Sequence, residues 1–199
     1  AMKKGADIAR MTADIALMED NLELIVTGKI IANNVMKQIK SNQKRVFALW
    51  EFLADRYKDN SYVLGYDLLN EAVIADHAVL AKFYQDLINV IRKVDRNHII
   101  FVEGNRWSQD TTPLEGLSDD NLVASIHFYE PLEFTFNFVP FLKYPLKSSS
   151  GAWHKPQLRK RLEEYARFSK KYGRPIHVGE FGVNYRQGVY AEDVYLKDV

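Results

Sequence analysis

The chain contains no cysteine, which excludes disulfide bonds and thiolate metal centres together. It also lacks any excess of charge: 27 Lys and Arg stand against 26 Asp and Glu, a formal net charge of +1. A chain so balanced offers no global attraction to nucleic acid or to an anionic membrane, and neither partner is expected. No apolar run approaches the roughly 20 residues that span a bilayer. The opening AMKKGADIARMTAD lacks the continuous apolar stretch of a secretory leader, and Ala1-Met2 reads as a cloning remnant. No glycine-rich phosphate fingerprint follows a predicted strand. His77, His98, His154 and His177 show no i,i+4 or similar ligand spacing, so no cofactor and no catalytic metal are expected. What remains is 199 residues, 47% of them apolar, enough for one domain with a sizeable core.

The C-terminal three quarters alternate strand and helix. Residues 63–70 (VLGYDLLN) read as a buried strand and roughly 75–95 as a helix. Val79, Phe83, Leu87, Val90, Ile91 and Val94 form its apolar face at three- and four-residue steps. Strands are predicted at 98–103 (HIIFVE) and 122–128 (LVASIHF). A long aromatic loop runs from Glu130 to Trp153, and loops of that length are commonly functional. Lys155 to Tyr172 reads as a charged amphipathic helix stopped by Gly173 and Pro175. Its basic runs, Lys155 to Lys160 and Arg167 to Lys171, read as solvated helix faces. The last predicted strand is 175–181 (PIHVGEF), and the tail from Asn184 to Val199 has no strong period. Alternating elements of this kind imply parallel strands joined by crossovers. Polar residues at the strands' C-terminal ends favour a (β/α)₈-type topology over a doubly wound sheet. In the first quarter, 14–18 is a short strand candidate, Leu22 to about Ile39 a helix, and Val46 to Tyr57 a second helix.

Two apolar strings end in a carboxylate: YDLLNEA at Glu71 and IHVGEFGV at Glu180. A glutamate at the tip of a buried strand stands where the strand emerges into a cleft. Two of them suit hydrolysis of a glycosidic bond, one as acid/base and one as nucleophile. On spacing alone Glu180 reads more readily as a solvated strand end, and Asn70-Glu71 also reads as a cap for a helix beginning near Val73. His127 and Tyr129 are two apart on a strand and so share a face. A hydrogen bond from a neighbour such as Tyr129 would help hold Glu180 ionised. Trp107 can stack on a sugar ring or simply pack, and Glu103 is a further strand-end carboxylate. Trp153, Phe134, Phe136, Phe138, Phe141 and Tyr144 can line a cleft or form an interface.

From about Arg45 to Val183 the chain resembles glycoside hydrolase family 5, the cellulase-like retaining enzymes on (β/α)₈ barrels. The strings that carry the likeness are WEFLADRYKDNSYVLGYDLLNEA, HIIFVEGNRW, IHFYEP and RPIHVGEFGV. The resemblance implies that Glu71 is the general acid/base beside Asn70, that Glu180 is the nucleophile, and that His127 and Tyr129 form the family's His-x-Tyr. Ala72 stands where the family usually has proline. The sequence shows no counterpart of the family's first two strands with their arginine, of its third-strand histidine, or of its eighth-strand tryptophan. Residues 5–42 resemble instead the end of a P-type cation ATPase phosphorylation domain, in ADIALMEDNLELI and IIANNVMKQIKSN. The implied organisation is an ATPase-like β-α segment over 1–42 and a truncated hydrolase barrel segment over 43–199.

The expected fold is therefore α/β, a partial (β/α)₈ TIM-barrel-like array of about five parallel strands. The expected activity is retaining, endoglucanase-like hydrolysis of β-1,4-glucan-type polysaccharide or oligosaccharide. The alternative is a catalytically silent fragment that folds by oligomerisation. A homo-oligomer is expected in either case, because an open parallel sheet exposes its edges and one apolar face.

Overall fold

The computed structural model describes residues 41–199. The predicted strand at 14–18 and the helix at 22–39 lie outside the described residues. The chain divides into two compact units, Ala1–Leu49 and Trp50–Val199. In the first unit, residues 41–49 are helical; in the second, residues 50–57 are helical, and this latter stretch is α1.

Beyond α1, four strands build the main sheet: β1 (Gly65–Asp67), β2 (Ile99–Glu103), β3 (Leu122–Phe128) and β6 (Ile176–Phe181). Their order is β1-β2-β3-β6, and every neighbouring pair is parallel. This is half of a barrel-type sheet. Helix α2 (His77–Ile91) lies between β1 and β2 in the chain. Between β3 and β6 come an antiparallel hairpin, β4 (Leu146–Ser148) with β5 (Gly151–Trp153), and helix α3 (Lys155–Tyr172). The chain closes with α4 (Glu192–Asp198).

The pleat sorts residues onto two faces. Tyr66, Ile100, Val102, Ala124, Ile126 and Phe128 are buried on one. Ile126 and Phe128 join Leu158 and Tyr165 of α3 in a core that also takes in Phe134, Tyr144, Trp153 and Tyr195. Each such side chain contributes about 1.5–3 kcal/mol on full burial. The alternate residues, Asp67, Phe101, Glu103, Ser125 and His127, share the opposite face. Chemistry and core thus divide by parity along the same strands.

Several boundaries have visible causes. Asp76 caps α2 by accepting from the Ala78 N–H at 2.8 Å. The helix therefore starts well beyond Val73, and Asn70-Glu71 is not its cap. The buried face of α2 is Leu80, Tyr84, Leu87, Ile88 and Ile91. Leu87 and Ile91 lie on the predicted stripe, but in the first two turns Leu80 and the fully buried Tyr84 take the core places expected for Val79 and Phe83, and Val79 is exposed. Helix α3 matches its predicted span. His154 caps its N-terminus, and Gly173 ends it at φ 65°, a left-handed conformation that glycine adopts without strain.

Beneath the sheet, the buried Asp95 carboxylate accepts from the Tyr66 hydroxyl at 2.6 Å and from the backbone N–H groups of Asn97 and His98, and contacts His98 Nδ1 at 2.6 Å. Burial alone would raise its pKa; these hydrogen bonds outweigh that and hold it below the usual carboxylate value. The network fixes the approach to β2.

The long aromatic segment is more ordered than its sequence suggests. It holds a helical turn at Leu132–Thr135 and the β4-β5 hairpin, and it sends Phe134, Tyr144 and Trp153 into the core. Phe136, Phe138 and Phe141 stay exposed. The tail is also structured: Glu192, fully buried, accepts from the backbone N–H groups of Arg186 and Tyr190, and Tyr195 donates to the Glu130 carbonyl.

Candidate active site

The C-terminal ends of all four strands converge on His127. This ring, 2% exposed, places Nδ1 at 2.9 Å from Glu71 Oε1 and 3.6 Å from Glu180 Oε2. Its Nε2 stands 3.3 Å from Glu103 Oε1. The Tyr129 hydroxyl donates to Glu180 Oε2 at 3.0 Å. The Glu71 N–H donates to Glu103 Oε2 at 2.6 Å. Four elements therefore contribute: the segment after β1, the tips of β2 and β6, and the end of β3.

Three carboxylates surround one imidazole, and a neutral imidazole has a single N–H. A hydrogen bond joins Nδ1 and Glu71 Oε1 at 2.9 Å, and Nε2 faces Glu103 Oε1 in a charge contact at 3.3 Å. Glu103, 2% exposed, has its pKa raised by burial, partly opposed by the Glu71 N–H bond. Desolvation on this face, reinforced by the Glu103 charge, pushes Asp67 up to about 6. Burial and then the bond to Glu180 raise Tyr129, which keeps its hydroxyl a donor.

Glu71 adopts φ 51°, a left-handed conformation that costs a side-chain-bearing residue about 1–2 kcal/mol. It persists because its surroundings over-determine it. The Glu103 carboxylate takes its N–H, and the Asn105 side chain clamps the Ile74 backbone, accepting from its N–H at 3.0 Å and donating to its carbonyl at 2.8 Å. Strain concentrated at a carboxylate inside a polar cluster is characteristic of functional positions.

Glu180 reaches the cluster through a register shift. Ile126 pairs with Val178, but His127 pairs with Glu180, so Gly179 is an extra residue in β6. Without this bulge Glu180 would lie opposite Phe128 on the core face. A Cβ at Gly179 would stand 2.6 Å from Ser125 Oγ and 3.4 Å from His127 Nε2. The glycine therefore serves the close approach of β3.

The remaining sequence candidates lie around the cluster. Asn70 is exposed just before Glu71. Trp107 is 54% exposed on a turn after β2 in which Arg106, Trp107 and Ser108 all have positive φ; it makes no hydrogen bond among the described residues. Phe136 lies 5.0 Å from the Tyr129 ring and stacks on Phe138 at 5.5 Å. Sequence reasoning named Glu103 without its central place, and it missed Asp67 and Asn105. The polar end of HIIFVEGN was the available signal for Glu103.

Parallel strands with helices between them and carboxylates at the strand tips define a partial TIM-barrel-like protein. The chain matches the profile of Cellulase (glycosyl hydrolase family 5) over residues 17–197, and it belongs to that family. Among curated relatives it is 31% identical over 157 residues to a beta-xylosidase from Phanerodontia chrysosporium, covering 78% of this chain and 32% of the relative. It is 27% identical over 174 residues to endoglucanase C from Acetivibrio thermocellus, covering 72% and 51%. Among solved structures, endoglucanase Cel5A from Thermotoga maritima superposes with a TM-score of 0.61 at 30% identity, over 73% of this chain and 50% of that one. The chain thus spans about half, or less, of the length of these relatives.

Proposed function

We propose that the chain carries the two-glutamate site of a retaining glycoside hydrolase acting on β-1,4-glucan-type polysaccharide. The observation that carries the reading is the convergence of Glu71 and Glu180 on one histidine nitrogen, at 2.9 and 3.6 Å. One oxygen of each lies within 4.8 Å of the other, close enough for the pair to act on one glycosidic bond. In this reading Glu180 attacks the anomeric carbon while Glu71 gives its proton to the departing oxygen. Water then loses a proton to Glu71, attacks the same carbon and releases Glu180. Tyr129 holds Glu180 in line, and the His127 Nδ1 contact orients Glu71. Asn70 would bind the sugar 2-hydroxyl, and Trp107 a ring at the rim. The glucan assignment draws on the endoglucanases among the relatives.

We also propose that two copies associate. Among the described residues, β1 and β6 are sheet edges without a further strand, and Leu64, Val178 and Phe181 are exposed beside them. A second copy would cover these edges and the exposed apolar residues beside them. The test is size-exclusion with light scattering, assaying each fraction for sugar release from soluble β-glucan and following the product anomer by proton NMR. The expected result is activity in a dimer peak with the β anomer formed first. An inverted product would contradict the assigned chemistry, release by a monomer would contradict the association, and a silent chain would leave the fold as inheritance alone.

A further inference from the structure

We propose that Glu71, His127 and Glu180 also form a binding site for a divalent late-transition cation, of which zinc is the representative. Two ligand atoms each about 2.1 Å from a tetrahedral ion stand about 3.4 Å apart. The distances from His127 Nδ1, 2.9 Å to Glu71 Oε1 and 3.6 Å to Glu180 Oε2, bracket that value, and all three ligand atoms lie within 4.8 Å of one another. Small shifts of two partly exposed carboxylates, 29% and 40% accessible, bring them to ligand distance, whereas His127 is fixed by burial.

The donor set fits such an ion chemically. Imidazole with carboxylates suits zinc and its neighbours and does not select the hard, oxygen-loving magnesium. The second ring nitrogen also faces a carboxylate, the buried Glu103 at 3.3 Å. A carboxylate on the far side of the ring is a common companion of a metal-bound histidine. The Tyr129 hydroxyl on Glu180 Oε2 likewise steadies a ligand oxygen. Net charge favours the ion as well, since three carboxylates and one imidazole share little positive charge. Histidine spacing along the chain could not reveal the site, because its ligands come from three separate segments. A bound cation occupies both carboxylates that hydrolysis requires, so it inhibits.

The site stands whether or not the chain hydrolyses glycans, and its test reads binding directly. Isothermal titration of the full chain with zinc chloride is expected to give one saturable site per chain. Cobalt(II) is expected to give the visible absorption of a four-coordinate ion. Glu180→Gln, whose side chain is partly exposed and whose fold is checked by circular dichroism, should weaken zinc by at least about tenfold and His127→Asn by more, given that even the residues behind metal ligands are worth about 10–100-fold. Equal affinity in wild type and Glu180→Gln would place the ion elsewhere, for example at His77 and Asp110, and overturn the proposal. Absence of saturable binding up to millimolar zinc would overturn it too.

Discussion

Glu180→Gln is expected to lower sugar release from soluble β-glucan by about a thousandfold or more, with the folded state unchanged. The carboxamide has nearly the same shape and still accepts the Tyr129 hydrogen bond, which the structure places at 3.0 Å, but it cannot form or release a glycosyl ester. A thousandfold loss is about 4 kcal/mol of barrier at 1.36 kcal/mol per decade. The loss should fall on kcat, because the nucleophile acts in the chemical step. Reducing-sugar assays on wild type and variant, with thermal melts on both, check this. A variant that keeps a tenth of the wild-type rate would remove Glu180 from the nucleophile's role.

Gly179→Val tests how that carboxylate is placed. A Cβ at Gly179 already meets Ser125 Oγ at 2.6 Å, and the buried Ser125 is itself held 3.4 Å from His177 Nδ1. Valine adds two methyl groups in the direction of His127. The bulge must then flatten or β6 must move away from β3, and in both cases Glu180 leaves its place opposite His127. A displacement of about 1 Å at a reacting group costs about a hundredfold in rate, so a loss of that order is expected. Because β6 is an edge strand of the described sheet, the fold should survive, with a lower melting temperature. Wild-type activity in Gly179→Val would show that the register shift is dispensable.

How far the sequence revealed all this depends on range. Strands β2, β3 and β6 were legible because each is an apolar run with a polar end, and α3 because glycine and proline mark its limit. The α2 stripe was right at Leu87 and Ile91 but one residue off in its first two turns, because Tyr84, a residue with a polar tip, does the work of a core side chain there. The tail helix was missed for a similar reason. Glu192 is buried by bonds to Arg186 and Tyr190, contacts that leave no apolar period. Glu71, His127, Tyr129 and Glu180 were nameable from strings that end strands. What joins them was not. Glu103 links the Glu71 backbone to His127 across 32 residues on one side, and the Gly179 bulge corrects the parity of Glu180. Both are properties of strand pairing, visible only once the register is known.

In the proposed site, strand tips of the half-barrel bring two carboxylates together with Glu180 as nucleophile. Trapping the covalent intermediate tests that role. The full chain is incubated with an activated 2-deoxy-2-fluoro cellobioside, whose fluorine slows turnover of the glycosyl ester, and then analysed by intact mass and peptide mapping. One adduct per chain is expected, on Glu180, absent from Glu180→Gln and suppressed by substrate. An unmodified protein, or an adduct on any other residue, would contradict it.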